Sequence, residues 1–289
     1  MKVLISNTKK VEEIKKEMQR SGPDKIHVLS DFDRTLTYGT TNGIKTPSII
    51  SMLRDGKHLT DDYADKAHSL FNKYHPLESD LNIPLRERKE LMQEWWKNHH
   101  DLLIKSGLSK NDLEDTVKNG HVKFREGVPE FVDLLYNKKI PLVIMSACGC
   151  GEAVKMFFQK IKKDHSNIFY IINKYHWDKN GKALSAKEPI IHALNKDETV
   201  LENFPNVYKH IKERKKVILL GDSIGDIDMI KGFRYEKLLK IGFLNSGYER
   251  LREKYLDSFD IVLEGDKDFY FINKLFKEII LKKNFKIYK

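Results

Sequence analysis

The sequence is poor in cysteine: Cys148 and Cys150 are the only two among 289 residues. One pair of thiols cannot build a disulfide framework, and it supplies only half of the ligands of a structural zinc site. Such sparing use of cysteine is typical of proteins from a reducing compartment. We therefore expect a structural role for both cysteines.

Long apolar runs are also missing. No stretch approaches the roughly 20 apolar residues that a membrane-spanning helix requires. The opening "MKVLISNTKKVEEIKKEMQR" holds an apolar run too short for a secretory signal peptide, and Val11, Ile14 and Met18 then form one stripe of an amphipathic helix. We expect a cytoplasmic protein that does not associate with membranes.

Recognisable nucleic-acid-binding motifs are absent as well, although the net charge is +10. A basic chain can bind nucleic acid, bind a small anionic substrate, or come from a lysine-rich proteome. The lysines are spread along the whole sequence rather than gathered into one arm, so we expect no polymeric nucleic acid partner. A non-catalytic, RNA-associated protein is the alternative from a different functional class.

The sequence does contain short apolar runs, rich in valine and isoleucine, that end in glycine, serine or aspartate. Runs of this kind predict strands buried on both faces of a parallel sheet. Helical patterns alternate with them, which predicts an α/β, doubly wound, Rossmann-like core. The predicted strands are "IHVLSDFD", "IPLVIMSACG", "NIFYIINKY", "KKVILLGDSIGD", "KLLKIGFLN" and "FDIVLEGD", and the helices between them are "GVPEFVDLLYNKK", "GEAVKMFFQKIKK" and "IGDIDMIKGF".

Residues 41–124 interrupt this alternation, because their patterns predict helices only, with Thr60 as an N-cap before two aspartates. We therefore predict an α/β catalytic core made of residues 1–40 and 125–289, and a helical cap domain of residues 41–124 inserted after the first core strand. Active sites of such sheets lie outside the carboxyl ends of the strands. A cap at this place could therefore act as a lid.

Two acidic motifs follow predicted strands. Asp31 and Asp33 end the first strand, and Asp222 and Asp226 follow "VILLG". Asp33 alone is typical of a turn and Asp222 alone of a helix N-cap, but neighbouring parallel strands would bring the carboxylates to one edge of the sheet. Carboxylate oxygens, water and phosphate are the ligands that Mg²⁺ prefers. The two motifs together predict a magnesium-dependent reaction on a phosphate.

Other residues are candidates for holding that phosphate. Ser146 ends a predicted strand, and its hydroxyl with the following N–H groups could bind phosphate oxygens, although a simple N-cap is an equal alternative. The site also needs an ammonium group to offset its negative charge. Lys187 in "SAKEP" and Lys196 in "IIHALNKD" are the candidates, and we favour Lys196.

Four motifs in this order resemble the haloacid dehalogenase superfamily of phosphotransferases: "DFDRT", the serine of "MSACG", the lysine of "IIHALNKD" and "GDSIGD". A closer resemblance, over about residues 26–265, is to the cytosolic pyrimidine 5′-nucleotidase family (type III). It rests on "DFDRTLT", "EWWKNHHDLL", "EGVPEFVDLL", "VILLGDSIGD", "LLKIGFLN" and "EKYLDSFDIVL".

The resemblance implies a role for each aspartate. Asp31 would be the nucleophile that forms an aspartyl-phosphate, and Asp33 the general acid and then the general base. Mg²⁺ would be held by the Asp31 carboxylate, the Asp33 carbonyl and Asp222. Asp226 would orient metal-bound water or the lysine.

The resemblance also implies that Ser146, the Ala147 N–H and Lys196 form the phosphate cradle. Cys148 and Cys150 depart from the family's usual Ser-Ala-Gly continuation at this place, while Ser146 and Ala147 keep it.

The predicted cap would bind the nucleobase. Trp95 and Trp96 would point about 100° apart on a helix, so that one could pack in the cap while the other faces the cleft. Glu78 could accept hydrogen bonds from base N–H groups; packing of both tryptophans in the cap and a solvated Glu78 are the alternatives. His99 stands where the resemblance has a serine near the base, which leaves a guanine base possible.

We therefore expect a monomeric, Mg²⁺-dependent 5′-nucleotidase that converts nucleoside 5′-monophosphates, CMP and UMP foremost, to nucleoside and phosphate. The alternative is the same machinery acting on another small phosphate ester, such as phosphoserine or a sugar phosphate.

Overall fold

A seven-stranded, mainly parallel sheet forms the centre of the computed structural model, which describes residues 2–41, 44–55, 59–196, 203–231 and 234–280. The strand order is β1-β11-β10-β9-β2-β5-β6, and β1 is the edge strand that runs antiparallel to its neighbour. The strands are β1 (Lys2–Ile5), β2 (Ile26–Ser30), β3 (Thr40–Thr41), β4 (Ile44–Lys45), β5 (Leu142–Ser146), β6 (Ile168–Ile172), β7 (Tyr175–Trp177), β8 (Ala183–Ala186), β9 (Lys216–Gly221), β10 (Lys237–Leu244) and β11 (Ile261–Glu264).

Helices cover both faces of this sheet. In the described ranges, no helix is both long and apolar enough to cross a membrane. The α-helices are α1 (Thr8–Ser21), α2 (Ile49–Asp55), α3 (Tyr63–Glu78), α4 (Leu85–Lys105), α5 (Lys110–Asn119), α6 (Val128–Asn137), α7 (Glu152–Lys160), α8 (Pro205–Ile211), α9 (Tyr248–Ser258) and α10 (Tyr270–Ile280), with 3₁₀ helices at Pro23–Lys25 and Ile224–Ile230.

The central strands β2, β5 and β9 are buried at every position, as the continuous apolar runs predict. Successive side chains of a strand point to opposite faces of the sheet. In β2, Val28 belongs to the cluster that includes α1, α6, α7 and α10, whereas Leu29 belongs to the cluster that includes α8 and α9. The doubly wound α/β fold is thereby confirmed.

Strand β1 was not among the predicted strands. Its four residues pair with β11, more than 250 positions later in the chain, so the contact that stabilises them is not a local one. Consequently β2 is the second strand of the chain, although it is the first strand of the parallel core. The amphipathic helix that follows β1 is present as α1, and its stripe of Val11, Ile14 and Met18 is buried as predicted.

Four helices, α2 to α5, occupy most of the predicted cap. The expectation of helices only was wrong, because β3 and β4 pair as a short antiparallel hairpin at its start. Thr60 is not the N-cap of α3, which begins after Asp62; the Thr60 hydroxyl instead donates a hydrogen bond to the Asp62 carboxylate (2.8 Å). The division into a core and a cap domain at residues 40/41 and 124/125 stays a prediction.

The cap helices differ in what they contact. Helices α3 and α4 pack against each other, while α5 packs on the core helix α7. The Lys160 ammonium of α7 donates a hydrogen bond to the carbonyl of Val117 in α5 (2.7 Å). The antiparallel hairpin β7–β8 also contacts this region, since the Ala183 N–H donates to the Leu108 carbonyl (2.9 Å). The base of α4 and all of α5 are therefore fixed to the core.

Two further predicted elements have different forms in the structure. The run "NIFYIINKY" forms β6 of the central sheet, and only its last residue, Tyr175, belongs to β7 of the separate hairpin. The segment "IGDIDMIKGF" forms the 3₁₀ helix Ile224–Ile230 rather than an α-helix, and its residues 232–233 lie outside the described residues.

Candidate active site

The candidate active site lies where β2, β5 and β9 end. These strands are neighbours in the sheet, so the residues that follow them, Asp31, Ala147 and Asp222, meet at one edge. The Asp31 N–H donates to the carbonyl of Leu220 in β9 (3.0 Å), which continues the ladder of the sheet by one residue. The backbone that carries Asp31 is therefore held rigidly.

A cluster of carboxylates lies at this edge. Oxygen atoms of Asp31, Asp222 and Asp226 lie within 4.8 Å of one another. The Lys196 ammonium lies 2.6 Å from the Asp31 carboxylate and 3.2 Å from that of Asp226. Lys187, the other candidate lysine, is exposed. Of the two predicted lysines, the structure thus brings Lys196 to the carboxylates, while its role towards phosphate stays a prediction.

The cluster brings three carboxylates, those of Asp31, Asp222 and Asp226, around the one ammonium of Lys196. Burial raises the pKa of Asp31 to about 7, against the opposing effect of Lys196, and the charges of Asp226 and Asp33 add to the increase. Burial and the neighbouring Asp31 and Asp226 raise the pKa of Asp222 well above its ordinary value. Burial lowers the pKa of Lys196, but the carboxylates of Asp31 and Asp226 outweigh it and raise that pKa.

The residues of the cluster fit a Mg²⁺ ion. They offer hard carboxylate oxygens, which Mg²⁺ prefers, and their excess negative charge is what a divalent cation would neutralise. Both oxygens of Asp226 are already engaged, one by Lys196 and the other by the N–H groups of Asp222 (3.1 Å) and Ser223 (2.9 Å). Both oxygens of Asp31 are engaged as well, by Lys196 and the Thr35 hydroxyl, so hydrogen bonding does not rank these carboxylates, and the set of metal ligands stays a prediction.

The close approach of Asp226 explains a glycine. A Cβ atom at Gly221 would lie 2.6 Å from the Cβ of Asp226, far inside van der Waals contact. Glycine at this strand end lets the turn fold back so that Asp226 reaches the two N–H groups.

Asp33 lies two residues beyond Asp31 and is half-buried. Burial raises its pKa, while Lys196 and Arg34 oppose that increase. A carboxyl group with a raised pKa carries a proton at higher pH, as a general acid requires. The turn around it is tightly bonded: the Thr35 hydroxyl donates to the Asp31 carboxylate (3.2 Å), and the Arg34 N–H donates to the Thr37 hydroxyl (2.8 Å).

Ser146 ends β5 beside this cluster, and its hydroxyl accepts a hydrogen bond from the Cys148 N–H (3.1 Å), which shapes the loop that contains Ala147. Both cysteines are free, and burial raises the pKa of each thiol. Buried thiols of raised pKa are poor nucleophiles, in agreement with the structural role expected for them. The phosphate-binding roles of Ser146 and Ala147 stay predictions.

The two tryptophans of the predicted cap differ in burial, but their rings are stacked, with centres 5.8 Å apart and planes 24° apart, and the expectation that one of them faces the cleft stays a prediction. Trp95 is buried in a cluster with Tyr74 and Met92. Trp96 is half-buried and lies against the loop after Ser146, since a Cβ at Gly149 would come within 2.5 Å of its ring. Trp96 is therefore the tryptophan that approaches the candidate site.

Glu78 ends α3 and is half-buried. Burial raises the pKa of Glu78, and the positive charges of His75 and Lys196 oppose the increase. Glu78 therefore interacts electrostatically with Lys196 of the candidate site. Within the described part of the chain, no group donates a hydrogen bond to its carboxylate. His99 is buried behind Trp96, bonds the Tyr63 hydroxyl (3.0 Å), and has its pKa lowered to about 4 by burial. Contact of either residue with a base stays a prediction.

Two residues near the site were not found from the sequence. Asn173, after β6, donates hydrogen bonds to the carbonyls of Cys148 (3.1 Å) and Ile191 (2.9 Å), and so links the loop after Ser146 to the segment that leads to Lys196. Arg125, in the segment that returns from the cap, is fully buried against the turn after Asp33. Nothing in the pattern distinguishes one asparagine or arginine from the many others on the surface.

With this geometry in place, comparison with known proteins is informative. A family model described as pyrimidine 5′-nucleotidase (UMPH-1) matches residues 34–280. The chain belongs to the pyrimidine 5′-nucleotidase family. It is 36% identical over 279 residues to the 7-methylguanosine phosphate-specific 5′-nucleotidase of Rattus norvegicus, covering 96% of this chain and 92% of that protein. The protein is thus a hydrolase of phosphate monoesters.

Solved structures agree with this family. The crystal structure of cytosolic 5′-nucleotidase IIIB bound to cytidine is similar with a TM-score of 0.85 and 30% identity, over 96% of this chain and 92% of that one. A phospho-aspartyl intermediate analogue of phosphoserine phosphatase is similar with a TM-score of 0.51 and 19% identity, over 86% and 97% of the two chains, and shows the shared fold alone. The predicted membership of the pyrimidine 5′-nucleotidase family is confirmed.

Proposed function

We propose that this protein is a Mg²⁺-dependent 5′-nucleotidase that hydrolyses nucleoside 5′-monophosphates through an aspartyl-phosphate on Asp31, and that it acts in the cytoplasm, as the relative named cytosolic does. The arrangement that carries the proposal is the carboxylate cluster of Asp31, Asp222 and Asp226 with Lys196 between its members. Glu78 and Trp96 of the cap lie near the same site.

The reaction proceeds in two steps at Asp31. In the first, an Asp31 oxygen forms a bond to phosphorus while the bond to the nucleoside O5′ breaks, and Asp33 donates a proton to O5′. In the second, Asp33 takes a proton from water, the water oxygen bonds to phosphorus, and the Asp31 carboxylate is released. Phosphate and nucleoside are the products.

The other side chains hold the reacting groups in place. Lys196 and the Thr35 hydroxyl bind the two oxygens of Asp31 and fix the direction of its attack. Lys196 also offsets part of the negative charge that accumulates when a carboxylate meets a phosphate dianion. Asp31, Asp222 and the Asp33 carbonyl would hold a Mg²⁺ ion, which would supply the remaining positive charge and screen this repulsion.

The base would be recognised by an aromatic face and a carboxylate. Stacking on Trp96 suits any base. Glu78 favours bases that present N–H donors or carry positive charge, and methylation at N7 makes the guanine ring cationic. A cationic ring is also attracted to the electron-rich face of tryptophan. We therefore propose 7-methylguanosine monophosphate and CMP as substrates, with 7-methylguanosine monophosphate preferred over GMP.

A panel of phosphate esters tests this function. We would measure released phosphate, with Mg²⁺, from 7-methylguanosine monophosphate, CMP, UMP, GMP, phosphoserine and a sugar phosphate, using Asp31→Asn as the inactive control. The expected kcat/KM is at least about tenfold higher for the first two than for GMP or phosphoserine, a difference of about 1.4 kcal/mol. A clear preference for phosphoserine or the sugar phosphate would instead establish the alternative function.

A further inference from the structure

Both polypeptide links between the core and the cap are tied together by backbone hydrogen bonds. The outgoing link leaves the turn after Asp33, and the returning link contains Lys123 and Arg125. The Tyr38 N–H donates to the Lys123 carbonyl (3.0 Å), and the Arg125 N–H donates to the Leu36 carbonyl (2.9 Å). The two links therefore enter the core as one paired unit.

The side chain of Arg125 anchors this unit. It is fully buried, and its planar guanidinium lies 4.8 Å from the ring centre of Phe243. It donates five hydrogen bonds, the full number that a guanidinium can make. The acceptors are the carbonyls of Thr35 (2.9 Å), Arg34 (2.6 Å) and Lys267 (2.6 Å), the Asn245 side-chain oxygen (2.7 Å) and the Asp266 carboxylate (2.9 Å).

These acceptors belong to the outgoing link and to the ends of two core strands. Asn245 follows β10, and Asp266 follows β11. The Asn245 amide also donates to the Arg34 carbonyl (3.0 Å), so that one carbonyl receives two bonds. Asp266 further binds the Gly39 N–H (2.8 Å) of the outgoing link.

The peptide that receives these bonds is next to the catalytic pair. Arg34 follows Asp33 directly and has a φ of 59°, a left-handed conformation that is unfavourable for a residue with a side chain. The bonds from Arg125 and Asn245 hold the Arg34 carbonyl in this conformation. They thereby fix the direction in which the preceding residue, Asp33, presents its side chain.

We propose that Arg125 is a positioning residue for the general acid: it holds the turn of Asp33, Arg34 and Thr35 so that Asp33 delivers its proton to the leaving oxygen. This inference rests on the proposed function, in which Asp33 is the acid. Lysine could not replace Arg125, because an ammonium has three donors without the planar geometry and would leave buried acceptors unpaired.

Leaving-group dependence tests the inference. A nucleoside O5′ must be protonated as it departs, whereas p-nitrophenolate departs readily without a proton. General acid catalysis contributes about 10²–10⁴-fold to a rate, so misplacing Asp33 should forfeit a large part of that factor for nucleotides only. For Arg125→Lys we expect kcat/KM to fall about 10- to 100-fold for the best nucleotide of the panel, and less than about 3-fold for p-nitrophenyl phosphate.

Arg214→Lys is the matched control. Arg214 also binds three backbone carbonyls, those of Pro23, Ile26 and Lys139, but at the amino ends of the strands, on the opposite side of the sheet from the site. A purely structural effect should lower kcat/KM by the same factor for the nucleotide and for p-nitrophenyl phosphate. We expect this result for Arg214→Lys. Should Arg125→Lys fail to fold, Asn245→Ala removes one of the two bonds to the Arg34 carbonyl and should shift the substrate ratio in the same direction.

Wild type and Asp33→Asn are measured in parallel to separate the two proposals. A wild type without nucleotidase activity, or an Asp33→Asn variant with an unchanged substrate ratio, would reject the assigned acid and with it the role of Arg125. An active wild type, a shifted ratio in Asp33→Asn and an unchanged ratio in both Arg125→Lys and Asn245→Ala would overturn the inference about Arg125 alone.

Discussion

Lys196 is bonded to two carboxylates, Asp31 and Asp226, in a buried position. Its removal would leave these carboxylates without their cation, and an unpaired buried charge is strongly destabilising. We predict that Lys196→Met lowers kcat by at least about 100-fold, because the charge that supports nucleophile and phosphate is lost. The measurement is phosphate release from CMP at saturating substrate.

Lys187→Met is the control for this prediction, since Lys187 is exposed and was the other candidate in the sequence. It should retain wild-type turnover. Loss of activity in Lys187→Met with retention in Lys196→Met would show that the phosphate lysine was assigned wrongly.

The four aspartates could be found from the sequence because their signal is local: each motif directly follows an apolar run, and the spacing within each motif is fixed. Asn173 and Arg125 could not, because their function depends on acceptors that come from distant parts of the chain. A buried hydrogen-bond donor in a loop carries no periodic pattern. Lys196 lies between these two cases. The sequence offered Lys187 and Lys196 as candidates, and only the fold shows that Lys196 is the one beside the carboxylates.

At the level of secondary structure, Glu78 ends α3, and Trp96 lies in the middle of α4. We predict that Glu78→Gln changes the ranking of nucleotides more than it changes hydrolysis of p-nitrophenyl phosphate, because the amide loses the negative charge that favours a cationic base or an N–H donor. The measurement is kcat/KM for 7-methylguanosine monophosphate, CMP, UMP, GMP and p-nitrophenyl phosphate.

Glu87→Gln provides the comparison, as Glu87 is an exposed carboxylate in the first turn of α4. It should leave the ranking unchanged. If Glu78→Gln reduces kcat/KM by the same factor for all five substrates, Glu78 supports cap closure or the fold. Other residues would then recognise the base.

The sequence predicted helices and buried strands better than it predicted edge strands and the N-cap residues of helices. Strands β2, β5 and β9 were recognisable because burial on both faces demands continuous apolar residues. Strand β1 was missed because an edge strand of four residues is stabilised by its partner β11 rather than by its own pattern. Thr60 was wrongly chosen as an N-cap because several polar residues precede α3, and only the fold decides which one begins the helix.

For the whole molecule, metal binding and stability should be linked. We predict that chelation abolishes activity, that Mg²⁺ restores it better than Ca²⁺, whose longer bonds would misplace the nucleophile, and that Mg²⁺ raises the Tm. The last effect follows because a cation would offset both the burial and the mutual repulsion of these carboxylates, which raise the pKa of Asp31 and Asp222. Thermal unfolding with and without Mg²⁺ measures it.

Asp222→Asn is the corresponding control, because it removes one carboxylate of the cluster. Its Tm should respond to Mg²⁺ much less than that of the wild type. An equal rise in both proteins would show that the ion stabilises the chain at another site.

Acid should destabilise the protein through its buried histidines. Burial lowers the pKa of His99 to about 4 and that of His100 to about 3. Unfolded histidine has a pKa of about 6.5, so the unfolded state binds protons first as the pH falls. The contribution of each neutral, buried histidine to the free energy of unfolding is therefore complete above about pH 6.5. It is lost as the pH falls towards 4, by up to about 1.4 kcal/mol per pH unit for each histidine.

The measurement is the free energy of unfolding in urea between pH 7.5 and 5, at saturating Mg²⁺, for wild type and His100→Gln. The slope against pH should be smaller in the variant, whatever its absolute stability. His68→Gln, at an exposed position, should keep the wild-type slope. Equal slopes for His100→Gln and wild type would show that His100 does not contribute to acid sensitivity.

Helix α5 is attached to α7, and Leu108 is attached to hairpin β7–β8, so a rotation of α3 and α4 against the core would pivot near the end of α4. At 1.5 Å per residue, Trp96 lies about 14 Å from this pivot, and the far end of α4 about 30 Å. Glu78 is near that far end, where its carbonyl accepts a hydrogen bond from Arg88 (3.1 Å).

A rotation of about 10° would therefore move Trp96 by about 2 Å and Glu78 by about 5 Å, given this helix rise. Trp96 would remain in place to stack on a base throughout this rotation. Glu78 would reach the base only at the end of it. If Trp96 and Glu78 bind the base as proposed, stacking on Trp96 would come before the contact with the Glu78 carboxylate.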